Sequence, residues 1–370
     1  MTMRVLVTGA QGFIGSNLAV HLGARPDTEV LRYAHGEPPD TLHKLVGLAD
    51  RIVHLAGVNR PKDEVEFDHG NAGLTATLCR LVRESGRQIP LILPSSTQAA
   101  RDNPYGRSKR AAEQAAGALA ATGNPVVLYR LPGVFGKWCR PNYNSVVATF
   151  CHNLARDLPI SISDPAHVLR LVHVDDVVES FLADLDAPPA KGLSRAEVAP
   201  EYAISLGALT DQLRAFRNCR DNLVVERVGT GLTRALYSTY VSYLPPEQFA
   251  YELPGYADQR GVFVEMLKTL DSGQFSYFTS QPGVTRGGHY HHGKTEKFLV
   301  IKGEARFRFR HIVTDERHEI CTSGEHPKVV ETVPGWTHDV TNMGPEEMVV
   351  MLWANTNFDR SRPDTIPDKV

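Results

Sequence analysis

Cysteine is scarce and unpatterned in this chain. Five residues (Cys79, Cys139, Cys151, Cys219 and Cys321) are scattered without a CxxC pair. An odd, unspaced set excludes the disulfide framework of a small secreted protein and fits reduced thiols. Charge of one sign is lacking too, with 40 Lys and Arg against 42 Asp and Glu and no like-charged run. That balance gives no basic footprint for a nucleic acid and no acidic tail. Apolar runs are short, and none approaches the ~20 residues of a membrane-spanning helix. The apolar start, residues 3–7, lacks the small-residue cleavage site of a signal peptide and runs into a glycine-rich turn, so it reads as a first strand. A cytoplasmic location is the resulting expectation. No internal repeat or low-complexity segment occurs.

A length of 370 residues suits two domains. Strand and helix patterns alternate through the front. Residues 4–8, 29–33, 51–55, 90–95 and 125–131 read as apolar strands, and 13–23 as a helix. This βαβα order predicts an α/β domain, a doubly wound parallel sheet of Rossmann type. Residues 171–174 and 201–204 read as short late strands. The pattern changes at Tyr243-Leu244-Pro245-Pro246. Beyond it come short strands divided by turns (261–267, 275–279, 296–301, 305–310, 328–332, 347–353), the signature of an all-β sandwich or barrel. The expected domains are therefore 1–243 and 244–370. The tail 359–370, polar with two prolines, is expected to be loosely held.

Chemistry first shows at Gly9-x-x-Gly12-x-x-Gly15, between a strand and a helix that opens with Phe13 and Ile14. Such glycines let backbone N–H groups approach a pyrophosphate at the positive end of the helix. An NAD site usually has an acid at the end of the second strand. Here the sequence is Leu31-Arg32-Tyr33-Ala34-His35. Arg32 is available for a 2′-phosphate, with His35 beside it, and NADPH is the expected cofactor; the alternative is a solvent-facing arginine. Tyr105 and Lys109 are spaced i, i+4 on one helix face, and Pro104 suits the helix start. An ammonium near a phenol favours the phenolate. Tyr105 can then serve as general acid to a carbonyl oxygen as hydride reaches its carbon. Thr97, at the end of the fourth strand, would hydrogen-bond the same oxygen.

These stretches, with His54-Leu55-Ala56-Gly57, Arg130–Gly136 in sequence and Val172-His173-Val174-Asp175-Asp176-Val177, resemble the extended short-chain dehydrogenases/reductases that act on nucleotide sugars. The resemblance implies that Leu55, Ala56 and Gly57 line the cofactor and that Lys109 bonds the nicotinamide ribose. It implies that Ser96, Lys137, Arg140, Asn142 and Asn144 contact the substrate, the last four at its diphosphate and uridine end. Lys137 and Arg140 read equally well as surface charges. Sugar 4,6-dehydratases of this family carry Asp-Glu after the catalytic Thr, where this chain has Gln98-Ala99. Sugar 4-epimerases retain NAD. An exchangeable NADPH favours a 4-keto-sugar reductase.

The second chemical pattern is His289-x-His291-x4-Glu296 followed by His338. Residues two apart on an extended chain face the same way, so His289 and His291 converge while His292 points away. Three imidazoles and a carboxylate suit zinc, manganese, iron or nickel, zinc foremost. The spacing, with Gly283, Gly303 and Pro334-Gly335-x-x-His338-x3-Asn342, resembles the two cupin motifs, a jelly-roll fold, although the second lacks one residue between Pro and Gly. A further resemblance is to the deoxysugar 3,5-epimerases, through Asp258-x-Arg260-Gly261-x-Phe263-x-Glu265, Arg286-Gly287-x-His289-Tyr290 and Lys297. It implies that Arg260 and Glu265 bind substrate, that His289 is a base and that Lys297 stabilises an enolate. Those enzymes lack the metal set, so His289 stays open between ligand and base. The whole arrangement resembles the bifunctional reductases of capsular polysaccharide synthesis. That implies a UDP-2-acetamido-2,6-dideoxy-4-hexulose substrate, epimerised at carbon 3 by the cupin and reduced at carbon 4 with NADPH to a UDP-N-acetyl-6-deoxy-L-talosamine. A cupin that only binds or dimerises, or a dinucleotide-sensing regulator, are the alternatives. A homodimer is expected; neither nucleic acid nor membrane is.

Overall fold

The computed structural model describes residues 2–34, 36–59, 61, 63–361 and 363–370. They form two compact units. One comprises residues up to Leu213 together with Ala235–Leu244; the other comprises Arg214–Arg234 and Pro245–Val370.

In the first unit, β1 (Met3–Thr8), β2 (Thr28–Tyr33), β3 (Arg51–His54), β4 (Leu91–Ser96), β5 (Pro125–Leu131) and β8 (Gly192–Ala196) form one sheet in the order β2-β1-β3-β4-β5-β8. Every pairing is parallel. Parallel strands need crossovers, supplied by α1 (Phe13–Gly23), α2 (Pro39–Leu48), the short α3 (Val65–Phe67) running on into α4 (Leu74–Glu84), and α5 (Pro104–Ala120). The alternation of apolar residues decides which layer each strand feeds. Leu6, Ile52, Leu91, Leu93 and Leu128 enter a core on one face with Leu42, Leu78 and Leu119 of the helices. Val5, Val7, Val53, Ile92 and Val127 enter the core on the other face, with Leu18 and with Val177 and Phe181 of α7 (Val174–Asp186). A small sheet of β6 (Gly133–Phe135), β7 (Val168–His173) and β9 (Tyr202–Ser205) completes the unit. This is the doubly wound α/β class expected. The strand at 192–196 is not in the sequence reading, because its half-exposed Gly-Leu-Ser-Arg-Ala has little apolar content.

The second unit is all-β apart from its helical entry. One sheet joins β10 (Val224–Val225), β12 (Gly261–Thr269), β13 (Gln274–Ser280), β20 (Met348–Ala354), β15 (Glu296–Lys302) and β18 (Val329–Thr332), with β11 (Gly255–Asp258) paired to β12. The other has the order β17-β16-β19-β14-β21, that is Arg317–Ser323, Glu304–His311, Trp336–Asn342, Thr285–Tyr290 and Ile366–Pro367. Phe278, Phe298, Phe307, Phe309, Val340 and Val350 form the core. The last short strand shows that the tail is paired, against the expectation of a loose end. Its carboxylates and backbone bond to distant backbone amides, to Thr337 and to Arg310, which an apolar-periodicity reading does not register. Among the described residues no helix is long and apolar enough to cross a membrane.

Candidate functional site

Each unit gathers its own chemical groups. In the first, the turn after β1 is tight because Gly9 has φ +69°, and a Cβ there would lie 2.7 Å from the Ala56 nitrogen. Gly15 is as constrained: a Cβ would meet the Gly9 carbonyl and lie 2.8 Å from Ala10 Cα. Gly12 is the N-cap of α1 and makes no side-chain cap, so the first amides of the helix, Phe13 and Ile14 among them, are left to a ligand. The segment Leu55–Gly57 is fastened beside this turn. Leu55 N–H donates to the Thr8 carbonyl at 3.1 Å, and Ala56 N–H to the Thr8 hydroxyl at 3.2 Å. Arg32 is exposed near the end of β2, its side chain in no hydrogen bond or ion pair among the described residues. His35 lies outside them.

Tyr105 and Lys109 stand on the first turns of α5. Pro104 opens that helix, and the Asn103 side chain caps it by accepting from Gly106 N–H at 2.7 Å. Lys109 Nζ lies 5.7 Å from the centre of the Tyr105 ring. Burial lowers the Lys109 pKa to about 8, and the Glu113 carboxylate one turn on works against that fall. Burial raises the Tyr105 pKa above its ordinary value, with a Ser96 hydrogen bond pulling the other way. The sequence reading expects the ammonium to bring the phenol down; in the structure desolvation outweighs every nearby charge. Ser96 is the hydroxyl that meets the phenol. Ser96 ends β4 and caps the following turn, whereas Thr97 is exposed on that turn.

Several participants are absent from the sequence reading. Glu113 is buried, accepts from the Ser95 hydroxyl at 2.6 Å and is clamped by Arg130 at 2.9 and 2.6 Å. Its signal was present, since 105, 109 and 113 continue one helix face. Asn71 accepts from Val58 N–H and donates to the Ser108 hydroxyl at 3.0 Å. A Cβ on Gly57 would sit 2.7 Å from Asn71 Oδ1 and 3.3 Å from Lys109 Nζ, so glycine there keeps these two groups open. His54 bridges Thr8 and Thr75, and burial, with the Lys109 charge, holds it neutral with a pKa of about 3. The residues expected at the substrate's nucleotide end are partly engaged. Lys137 pairs with Asp175 and stacks on Trp138. Arg140 lies over Tyr143. Asn142 takes a left-handed backbone at φ 55°, and Asn144 is exposed.

In the second unit His289, His291, Glu296 and His338 converge, their ligand atoms all within 4.8 Å of one another. Three strands deliver them. His289 on β14 is the direct cross-strand partner of His338 on β19, beyond a bulge at Gly287 and Gly288. Glu296 opens β15, and its side chain is buried. His291 Nε2 lies 3.2 Å and His338 Nε2 3.6 Å from Glu296 Oε2. Burial works to raise the Glu296 pKa, but His291, His338 and Lys294 hold the carboxyl well below its usual range. Burial, with the neighbouring His338 and His291, lowers His289 to about 4. The donor set fits a divalent transition metal. His338 Nε2 is buried without a hydrogen-bond partner. The Asp364 carbonyl lies at His291 Nδ1, which turns Nε2 toward Glu296 and the centre of the cluster. His292 is exposed on the other side of the chain.

Lys297 is not brought to this cluster. It follows Glu296 directly on a strand, so it points to the opposite face, where it is exposed and paired with Glu331. The ammonium that meets Glu296 is Lys294, 2.9 Å from Oε1 and largely buried. Arg260 is exposed and pairs with Asp258; Glu265 pairs with Lys268 at 3.0 Å. Arg286 stacks on Phe278 at 5.1 Å, and its Nε and Nη2 are buried without a hydrogen bond.

Comparisons agree with this two-part architecture. Residues 5–196 match the NAD dependent epimerase/dehydratase family, and residues 256–366 match the polysaccharide biosynthesis C-terminal domain. The chain is 57% identical to a UDP-2-acetamido-2,6-beta-L-arabino-hexul-4-ose reductase of Pseudomonas aeruginosa, over 98% of each chain. The crystal structure of the capsular polysaccharide assembling protein CapF from Staphylococcus aureus superposes with a TM-score of 0.92 at 40% identity, covering 100% of both chains. A UDP-glucuronic acid 4-epimerase from Bacillus cereus, in complex with NAD, shares the fold over 65% of this chain and 98% of its own, at 17% identity and a TM-score of 0.56. A glycine-rich turn opening a helix in one unit, a histidine cluster in the other and matches along almost the whole length lead to one assignment: this chain belongs to the NAD dependent epimerase/dehydratase family, in the branch that carries a polysaccharide biosynthesis C-terminal domain.

Proposed function

We propose that the chain is a bifunctional nucleotide-sugar enzyme. Its first unit reduces the carbon-4 ketone of a UDP-2-acetamido-2,6-dideoxy-4-hexulose with NADPH, and its second unit epimerises carbon 3 beforehand. The product is a UDP-N-acetyl-6-deoxy-L-talosamine, on the route to UDP-N-acetyl-L-fucosamine for surface polysaccharide. The observation that carries the reading is the presence of both groups, Tyr105 above a buried Lys109 and the His289–His291–Glu296–His338 cluster, in one chain that matches a hexulose reductase end to end.

The roles follow from placement. The amides after Gly12 and the loop Leu55–Gly57 hold the dinucleotide, and exposed Arg32 favours the 2′-phosphate form. Bound NADPH supplies the hydride. Tyr105, kept protonated by its burial, gives its phenolic proton to the carbon-4 oxygen, and Ser96 orients that phenol. Thr97 faces solvent at the same strand end, where it can reach the sugar. Lys109 stabilises the charge left on Tyr105 and bonds the ribose, while Glu113 keeps Lys109 cationic against its desolvation. In the second unit His289, His291, Glu296 and His338 would hold a divalent metal, zinc by its ligand set, which supplies Lewis acidity next to a ketone. His289 is neutral at working pH and is competent as a ligand or as the base at carbon 3. Epimerisation precedes reduction because the ketone acidifies the neighbouring C–H only while it exists. Exposed Phe275, Tyr277, Ile301 and Met351 on one sheet of the second unit suit pairing with a second copy.

The test uses Tyr105→Phe and a UDP-4-keto-6-deoxy-N-acetylhexosamine in deuterated water without NADPH. Deuterium should enter at carbon 3 and be lost with His289→Ala. Wild-type protein that oxidises NADPH on this ketone while no deuterium enters would leave a reductase whose second unit only binds. Sedimentation that finds only single chains at micromolar concentration would exclude the homodimer.

A further inference from the structure

The C-terminal residues make an unusual set of bonds around the histidine cluster. The Asp364 carboxylate accepts three successive backbone N–H groups: His292 on Oδ1, and Gly293 and Lys294 on Oδ2, each at 2.8 Å. Those three residues make up most of the loop between His291 and Glu296. The bonds hold the Asp364 carboxyl at a pKa of about 2, the His292 N–H contributing most. The Asp364 carbonyl oxygen, which can only accept, is 2.5 Å from His291 Nδ1. His291 must therefore carry its proton on Nδ1 and turn Nε2 toward Glu296.

The contact continues beyond Asp364. Ile366 and Pro367 pair with Tyr290 and His289 on β14. Asp368 N–H donates to the Gly288 carbonyl at 2.9 Å, at the bulge that places His289. The Asp368 carboxylate accepts from the Thr337 hydroxyl and from Arg310, each at 2.6 Å, and Thr337 adjoins His338. One short segment thus braces the chain beside all three histidines. A merely packed tail would have no need to send two carboxylates and a carbonyl to these particular groups.

We propose that Asp364–Asp368 is a clasp that builds the metal site, with Asp364 as a positioning residue acting through His291 and the 292–294 loop. This rests on the reading of the cluster as a metal site. Partners of this kind fix the tautomer and orientation of a ligand, and their loss typically weakens metal binding about 10- to 100-fold.

The experiment uses full-length protein, Asp364→Ala, Asp364→Asn and a chain ending at Pro363. Each is stripped with a chelator and titrated with zinc against a chromophoric competitor. The cobalt(II) form of each is then recorded in the visible. Asp364→Ala and the shortened chain should bind zinc about 10- to 100-fold more weakly. Asp364→Asn, which keeps one acceptor oxygen, should fall between them and the wild type. The cobalt bands should shift in Asp364→Ala, which general destabilisation would not cause. Zinc affinity within twofold of wild type in both Asp364→Ala and the shortened chain would overturn the clasp while leaving the metal reading intact. A wild-type protein that takes up no zinc would overturn both. If Asp364→Ala fails to fold, Asp364→Asn decides: wild-type affinity and unchanged cobalt bands in it would refute the role.

Discussion

Lys109→Met should make the protein more stable and reductively inactive at once. The ordinary lysine pKa of 10.5 falls to about 8 at Lys109, chiefly by burial. That displacement corresponds to ~3 kcal/mol of disfavoured ammonium. That figure already nets the attraction to Glu113 against burial; methionine keeps the apolar stem and removes the charge, and its imperfect packing, which costs up to about 1.5 kcal/mol, leaves ~2 kcal/mol of stabilisation at neutral pH. The pH dependence has a definite sign. The unfolded chain holds its proton up to 10.5, and the folded one releases it near 8. The penalty is therefore complete below about 8, and it fades as pH rises toward 10.5. Calorimetry of wild type and variant at pH 7 and pH 10 reads it directly. A gain of ~2 kcal/mol should raise the moving transition by about 4–8 °C at pH 7, with the gap closing at pH 10. A variant less stable at pH 7, or a gap that does not change with pH, would refute the account of Lys109 as a strained, buried cation. NADPH oxidation on the keto sugar should be lost in either case.

Three further outcomes follow from the same geometry. Gly9→Ala places a Cβ 2.7 Å from the Ala56 nitrogen in a left-handed backbone, so nucleotide binding measured by fluorescence or calorimetry should be lost or the unit destabilised by ~1–3 kcal/mol. Arg32→Ala should raise KM for NADPH roughly 10- to 100-fold, the weight of one charge-assisted bond, and leave KM for NADH nearly unchanged; equal changes for both would remove Arg32 from the 2′-phosphate. Chelation should abolish deuterium uptake at carbon 3 and spare Tyr105-dependent NADPH oxidation when the epimerised ketone is supplied. Loss of both together would contradict two separate sites.

Local spacing was legible in the chain where the residues concerned share one element. The glycines at 9, 12 and 15, the Tyr105–Lys109 step and the His289–His291 step each concern residues within a turn or two of one element. There, backbone geometry alone determines which side chains share a face. Lys297 shows the same rule applied too late: a residue next to inward-facing Glu296 on a strand has to point outward, and period two was enough to say so. The contact of Ser96 with the phenol is of another kind, because Ser96 ends the strand, Thr97 opens the next turn, and only that turn decides which hydroxyl faces Tyr105.

Sequence by itself determined the two fold classes, the glycine-rich turn after the first strand and the membership of the four-residue cluster, because hydrophobic period and short-range spacing are written locally. Tertiary structure alone decided the rest. Burial, which no window of sequence measures, lowered the Lys109 pKa and raised that of Tyr105 against the direction expected for the phenol. Long-range contacts recruited Glu113 to Arg130, 17 residues on, and Asp364 to the loop after His291, across 70 residues in the shortest link. The polar tail looked expendable because its bonds run to backbone amides far away in the chain, and a hydrogen bond to a distant amide leaves no periodic trace.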